Sequence, residues 1–216
     1  SVYVASSHPE KPVVSLDYDR KALENNILDV PQTDMPKSTF VSSGDDFGDQ
    51  VVKIVDPVSC VEKGESEIGE IWVSGNSIAQ GYWNKEQESQ KTFGGNLIGD
   101  NSRTYMRTED LGFIKGGHLY VTGRIKDLII IRGVNYYPQD IERAIEVGHP
   151  ALRPGGGAAF SIVSDGSEKL VVAHELEFRQ NPDIKDVATA LTRIIADEFE
   201  LQLHALILVR PGRIPK

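Results

Sequence analysis

The sequence predicts a mixed α/β chain: a small β-barrel-like subdomain followed by a compact α+β domain of order β-α-β-β-α-β. Two observations carry this. Residues 51–125 hold several short apolar runs broken by glycine and Asp-Pro turns, as in an all-β unit. From residue 126 onward, short apolar runs alternate with two stretches of helical period, as in a layered α+β unit. A length of 216 residues accommodates one large domain or two small ones, with chain enough to bury a core.

Residues 1–50 read as a loop-rich segment that must pack on the β subdomain. They hold prolines at 9, 12, 31 and 36 and the polar stretch Ser42-Ser43-Gly44-Asp45-Asp46-Phe47-Gly48-Asp49. Val13 to Leu16 could form an edge strand, but no helical period is present. In the β subdomain, 51–125, Val51 to Val55 runs into the turn Asp56-Pro57. Ile68 to Val73 alternates so that Ile71 and Val73 share a face. Leu119 to Val121 follows a hairpin turn at Lys115-Gly116-Gly117-His118.

The α+β domain, 126–216, opens with the buried-strand run Leu128 to Ile131, closed by Gly133. Pro138 then suits the first turn of a helix, acids follow where the dipole favours them, and Ile141, Ala144 and Ile145 lie at i, i+3, i+4. Gly148 is a natural stop. Ala158 to Val163 and Leu170 to Leu176 flank Asp165-Gly166, a strong hairpin signal. Ile184, Val187, Ala188, Leu191, Ile195 and Phe199 make the stripe of a second helix starting near Asp183. Ala205 to Val209 is a last strand.

Composition narrows the function. The chain carries 23 basic and 32 acidic residues, a net charge of -9. That balance argues against nucleic-acid binding, which needs positive charge to neutralise phosphates. No apolar run reaches the ~20 residues that span a bilayer, and Ser1 to Pro12 lacks the basic start and apolar core of a signal peptide. A single cysteine, Cys60, cannot form an internal disulfide, so a reducing, cytoplasmic location is expected. The missing initiator Met and the stop soon after Val209 suggest a piece of a longer polypeptide.

Most chemistry-bearing residue types form no pattern. The five histidines (8, 118, 149, 174 and 204) lie at no metal-ligand spacing, and no metal site is expected. Gly155-Gly156-Gly157 lacks the Lys-Ser/Thr of a phosphate loop and reads as a turn before a strand. Cys60 has no base nearby in sequence, and no Gly-x-Ser-x-Gly elbow occurs. One constellation differs. Arg107-Thr108-Glu109-Asp110 is followed by Gly123-Arg124-Ile125-Lys126-Asp127, then Gly133, then Pro138 to Glu142. A carboxylate can accept bonds from both vicinal hydroxyls of a ribose, and a guanidinium can donate to the same sugar or its phosphate. On neighbouring loops, such a pair can hold a nucleotide without a phosphate loop.

This set resembles the adenylate-forming superfamily: acyl-CoA synthetases, peptide-synthetase adenylation domains and luciferases. Gly75 to Trp83 is similar to its block ending in Gly-Tyr. Arg107 to Asp110 is similar to its R-T-G-D block, and Gly123 to Asp127 to its hinge block. Val134 to Glu142, with His149 to Phe160, is closer to the fatty acyl-AMP ligases, the mycolic-acid-type enzymes partnered with polyketide synthases. The resemblance runs over most of the chain. It implies that residues 51–125 end a large N-terminal domain and that 126–216 form its mobile C-terminal domain. Asp110 and Arg124 are then nucleotide-binding residues, Lys126 the hinge, and Gly133 a residue lining the pantetheine tunnel.

The resemblance also implies the reaction. A fatty acid and ATP, with Mg²⁺, give acyl-adenylate and pyrophosphate, and the acyl group passes to the phosphopantetheine thiol of an acyl carrier protein or polyketide synthase. The family's catalytic lysine is expected beyond Lys216 and its phosphate loop upstream of Ser1, so the fragment alone is expected to be inactive, with no catalytic residue of its own. One departure stands out: Glu109 occupies the family's glycine position. Two alternatives remain at this point: a long-chain fatty acyl-CoA synthetase, and a non-catalytic interaction module. Arg193, Arg210, Arg213 and Lys216 are candidates for a basic face toward an acidic carrier.

Overall fold

The computed structural model describes residues 4–6, 12–46, 48–177 and 182–214. The chain divides into two compact units, Ser1–Lys126 and Asp127–Lys216.

The first unit contains β1 (Ala5–Ser6), β2 (Ser15–Asp19), α1 (Arg20–Leu23), β3 (Lys37–Asp46), β4 (Val51–Val55) and β5 (Gly69–Ser74). These are followed by α2 (Glu86–Phe93), β6 (Gly95–Leu97), β7 (Asp100–Lys115) and β8 (His118–Arg124). The strands form one sheet of order β1-β3-β8-β7-β5-β4, with β2 added on β3 and β6 on β7. The path is open, running from β1 to β4, rather than closed into a barrel. Gly116 and Gly117 join β7 to β8 with φ of 57° and 81°, as a two-residue hairpin turn requires.

β5 is buried on both faces. Ile71 and Val73 join Val52, Ile54 and Leu119 on one side, while Trp72 joins Val55, Leu97 and Tyr105 on the other. A third cluster is aromatic: Phe113 stacks on Tyr120 at 4.9 Å, and Tyr18 and Phe40 meet Phe113 edge-on at 5.4 and 5.8 Å.

The first 50 residues are more ordered than their composition suggests. β3 runs through the polar stretch Ser42 to Asp46, with a bulge where Ser42 and Gly44 face Tyr120 and Leu119. Its backbone finds partners in β2 and β8, so pairing replaces the missing apolar signal. Ser42 Oγ also accepts from the Gly44 N–H and lies 3.0 Å from His118 Nδ1.

The second unit contains β9 (Ile129–Ile131), β10 (Val134–Tyr136), α3 (Pro138–Glu146), β11 (Leu152–Ser164), β12 (Ser167–Leu176), α4 (Ile184–Phe199) and β13 (Leu203–Val209). The expected first strand is thus a hairpin, β9-β10, turning at Arg132 and Gly133 with φ of 56° and 80°. The other three strands form the sheet β11-β12-β13. β11 and β12 turn at Asp165-Gly166 as expected. β12 and β13 are parallel, so α4 is their crossover.

Asp183 caps α4 by accepting from the Lys185 N–H at 2.8 Å. The stripe Val187, Leu191, Ile195 and Phe199 is buried against Ile141 and Ile145 of α3 and against Leu170, Val172 and Leu176 of β12. Each such side chain contributes about 1.5–3 kcal/mol relative to exposure. Among the described residues no helix is long and apolar enough to cross a membrane.

Candidate functional site

The floor of the site is Glu70 on β5, whose side chain is fully buried. One oxygen, Oε2, accepts from Trp72 Nε1 at 2.9 Å and from Arg107 Nε and Nη2 at 3.1 and 2.7 Å. The other, Oε1, accepts from the Glu109 N–H at 3.1 Å. The Arg107 guanidinium also lies 5.2 Å from the centre of the Trp72 ring and donates to the Pro57 carbonyl. A buried carboxylate persists only when its lone pairs are filled, and here four donors fill them.

Above this floor β7 bulges. Glu70 faces Leu111 and Trp72 faces Arg107, so the single residue Ile71 faces the three residues Thr108 to Asp110. Thr108 Oγ1 donates to the Ile71 carbonyl at 2.7 Å and accepts from the Asp110 N–H at 3.0 Å. Glu109 sits at the crest with φ of +60°. That is left-handed backbone, which glycine adopts freely and other L-residues only at a cost. Bulges re-aim side chains in this way beside functional sites.

The bulge presents two carboxylates to three cations. Asp110 lies opposite Arg124 in the β7-β8 register, and its Oδ1 accepts from Arg124 Nε at 3.0 Å. The Arg124 side chain is 70% exposed and that of Asp110 34%. Among the described residues, Asp110 Oδ2 and both terminal nitrogens of Arg124 keep their bonding capacity for a ligand. Glu109 Oε2 pairs with Lys126 Nζ at 2.6 Å, and Oε1 lies 3.9 Å from Lys91 Nζ. The Lys126 ammonium, helped by Lys91 and Arg107, holds the Glu109 carboxyl below its ordinary pKa.

No family model matches the chain. It is 41% identical over 214 residues to the medium-chain-fatty-acid–[acyl-carrier-protein] ligase JamA of Moorena producens, across 97% of this chain and 36% of that protein. It is 34% identical to the long-chain-fatty-acid–AMP ligase FadD28 of Mycobacterium tuberculosis, across the whole of this chain and 38% of that protein. The fold matches a solved structure from a study of the fatty acyl-adenylate ligases of E. coli and L. pneumophila. There the identity is 31%, the TM-score 0.82, and the coverage 99% of this chain and 36% of that one. The chain is a homologue of part of the fatty acyl-AMP ligases. It spans little more than a third of the length of these curated relatives.

For this fatty acyl-AMP ligase homologue, the structure brings Asp110 and Arg124 together and ties Lys126 to their bulge. Gly133 belongs to the other unit, at the tip of the β9-β10 hairpin. A Cβ there meets nothing within 4 Å, so the positive φ, rather than a close approach, accounts for the glycine. Among the described residues no group of three or more His, Cys, Asp or Glu gathers as a metal site. No residue here is assigned to Mg²⁺.

Several of the weaker sequence candidates find structural partners. His118 faces Ser42 and Asp45, and His149 faces Asp186 and the Ala151 N–H. His174 is buried, with Nδ1 2.9 Å from the Glu175 carbonyl, and its ring packs against Gly157. His204 is exposed on β13, and Cys60 is a half-buried thiol in a left-handed turn. Of the basic residues considered for a docking face, Arg193 pairs with Asp197 along α4, while Arg210 and Arg213 are exposed. His8 and Lys216 lie outside the described residues.

Sequence reasoning missed Glu70 and Glu175. The Glu175 carboxylate is almost wholly buried, pairs with Arg153 at 2.6 Å, and accepts from the N–H groups of Arg213 and Ile214 at 2.8 and 3.0 Å. The N–H groups of Ile214 and Gly212, with Arg153 and the Arg213 N–H, hold it down to about 2. The signal for Glu70 was present: if Ile71 and Val73 share one face, Glu70 and Trp72 share the other. The block Gly75 to Trp83 borders a cleft of about 1140 Å³, where Tyr82 meets Phe93 at 5.2 Å.

Proposed function

We propose that this chain is part of a longer fatty acyl-AMP ligase, to which it supplies a ribose-binding pair and the hinge. The observation that carries this reading is the Asp110–Arg124 pair, held in place on a bulge but keeping Oδ2 and two guanidinium nitrogens for a ligand. The Asp110 carboxylate accepts from the vicinal hydroxyls of the ribose, and Arg124 donates to the sugar and the phosphate side. Mg²⁺, carried by the triphosphate, offsets its charge.

The chemistry follows from the substrates. An oxygen of the fatty carboxylate attacks the α-phosphorus of ATP, and the bond to pyrophosphate breaks. The acyl-adenylate stays bound through its ribose. The unit beginning at Asp127 then swivels about Lys126. The thiol of a phosphopantetheine arm, passing Gly133, attacks the acyl carbon. A C–S bond forms, the bond to the AMP oxygen breaks, and the thiol proton leaves to solvent. The residues of this chain orient the nucleotide through both steps.

Two similarities support a carrier protein as acceptor. One relative is named an acyl-carrier-protein ligase, and a structural neighbour is an adenylation domain solved with its peptidyl carrier domain, at 28% identity and a TM-score of 0.69. The competing acceptor is free coenzyme A, since two relatives carry fatty-acid–CoA ligase names. Calorimetry of the complete protein with a non-hydrolysable acyl-AMP mimic tests the nucleotide reading, and the expected result is one site per chain. No binding would leave only a scaffold. Thioester product on carrier protein but not on coenzyme A settles the acceptor, and efficient acyl-CoA formation overturns it.

A further inference from the structure

Residue 109 grips the end of the first unit twice. Its carbonyl accepts from the Ile125 N–H at 2.9 Å, and its carboxylate takes Lys126 Nζ at 2.6 Å. Lys126 is the last residue of that unit, and Asp127 begins the next. Glu109 is itself held from below, because the buried Glu70 accepts its N–H. The neighbouring residue is Asp110, whose carboxylate is engaged with Arg124. A non-glycine residue kept at φ +60° is strained, and such strain persists where surrounding contacts over-determine it. Here a glycine fits the backbone but provides no carboxylate for the lysine.

We infer that Glu109 is a positioning residue: it latches Lys126 and so restrains the swivel at the Lys126–Asp127 junction. This rests on the reading of Lys126 as the hinge. The latch is light. Glu109 is 41% exposed and Lys126 69%, and exposed pairs of this kind change an equilibrium by no more than about fivefold. A light latch suits a hinge that must open in every catalytic cycle. The groups facing the carboxylate are Lys126, Lys91 and Arg107. Lys91 sits on α2, with its ammonium 3.9 Å from the other oxygen.

The test is ¹⁵N relaxation dispersion at Ile125, Lys126 and Asp127 in the complete protein, at low salt and near 1 M salt. Glu109→Gln removes the charge and keeps the shape. Glu109→Gly keeps the left-handed backbone and the Ile125 bond, so its folding is secure. Both variants are expected to speed exchange at the junction about two- to fivefold at low salt. The gap between the wild type and Glu109→Gln is expected to narrow near 1 M, because exposed ion pairs weaken with ionic strength. Equal exchange in all three at low salt overturns the latch. In the complete protein, Glu109→Gln is expected to alter the thiol-transfer step and leave KM for ATP unchanged. Faster junction exchange with no nucleotide binding by any form keeps the latch but removes the ligase reading, so the two ideas fail separately.

Discussion

At the scale of single residues, Glu70 holds more of the site than any side chain that faces solvent. It joins Trp72, Arg107 and the Glu109 backbone at one carboxylate. Removing it leaves an indole N–H and a backbone N–H without their acceptor, and the Arg107 guanidinium without its counter-charge. Glu70→Ala is expected to destabilise the first unit by about 3–5 kcal/mol, read as a lower urea midpoint. Glu70→Gln keeps an acceptor oxygen and is expected to lose less. A midpoint unchanged in Glu70→Ala contradicts the hub. Alternation puts Glu70 on the Trp72 face, but a glutamate within Ile68 to Val73 also reads as the solvent side of a half-buried strand. Here both faces of the strand are covered. By contrast, the meeting of Asp110 and Arg124 was legible, since their blocks have a recognisable order. The conformation of Glu109 was legible only through the glycine it replaces.

At the scale of elements, tight turns and amphipathic helices were the most readable parts. Gly116-Gly117 and Asp165-Gly166 carry the positive φ values that two-residue hairpins need, and α3 and α4 bury most of the stripes their periods mark, although Ile184 at the start of α4 stays exposed. β3 and β10 were missed, one too polar and the other too short to show a period. Spacing within the sheet gives a contrast to measure. At Gly112 a Cβ meets the Tyr120 carbonyl oxygen and the Ile71 side chain, whereas at Gly116 it meets nothing. Gly112→Ala is therefore expected to cost at least about 1–3 kcal/mol through overpacking. Gly116→Ala is expected to cost about 1 kcal/mol, from its positive φ alone. Thermal melts that reverse this order contradict the packing described.

Glu175 acts at the same scale, clamping the segment after β13 to β12 through the N–H groups of residues 212–214. Its folded pKa is depressed to about 2. The stability it contributes is thus fully present above the ordinary carboxylate value of about 4.3. It is lost as pH falls toward 2. Glu175→Gln is expected to flatten the acid limb of the stability profile between those values and to speed amide exchange at 212–214. An acid limb identical to that of the parent chain contradicts the clamp.

At the scale of the whole molecule, the sequence identified the superfamily through several ordered blocks at consistent spacing, and the relatives and fold agree with it. The fatty-acid chain length was not legible, because none of the recognised blocks is one that reads an acyl chain. What the chain itself supplies to the proposed reaction is the junction at Lys126 and the pair beside it. The most direct test is fatty-acid-dependent ATP–pyrophosphate exchange by the complete protein, comparing wild type with Asp110→Ala and Arg124→Ala. Arg124 is exposed and Asp110 about two-thirds buried, so a urea midpoint measured for each variant confirms that the fold survives. Loss of charge-assisted bonds to the ribose predicts a fall in kcat/KM for ATP of roughly 10- to 100-fold in Asp110→Ala. Exchange within about twofold of wild type in both variants contradicts the assignment of this pair to the nucleotide.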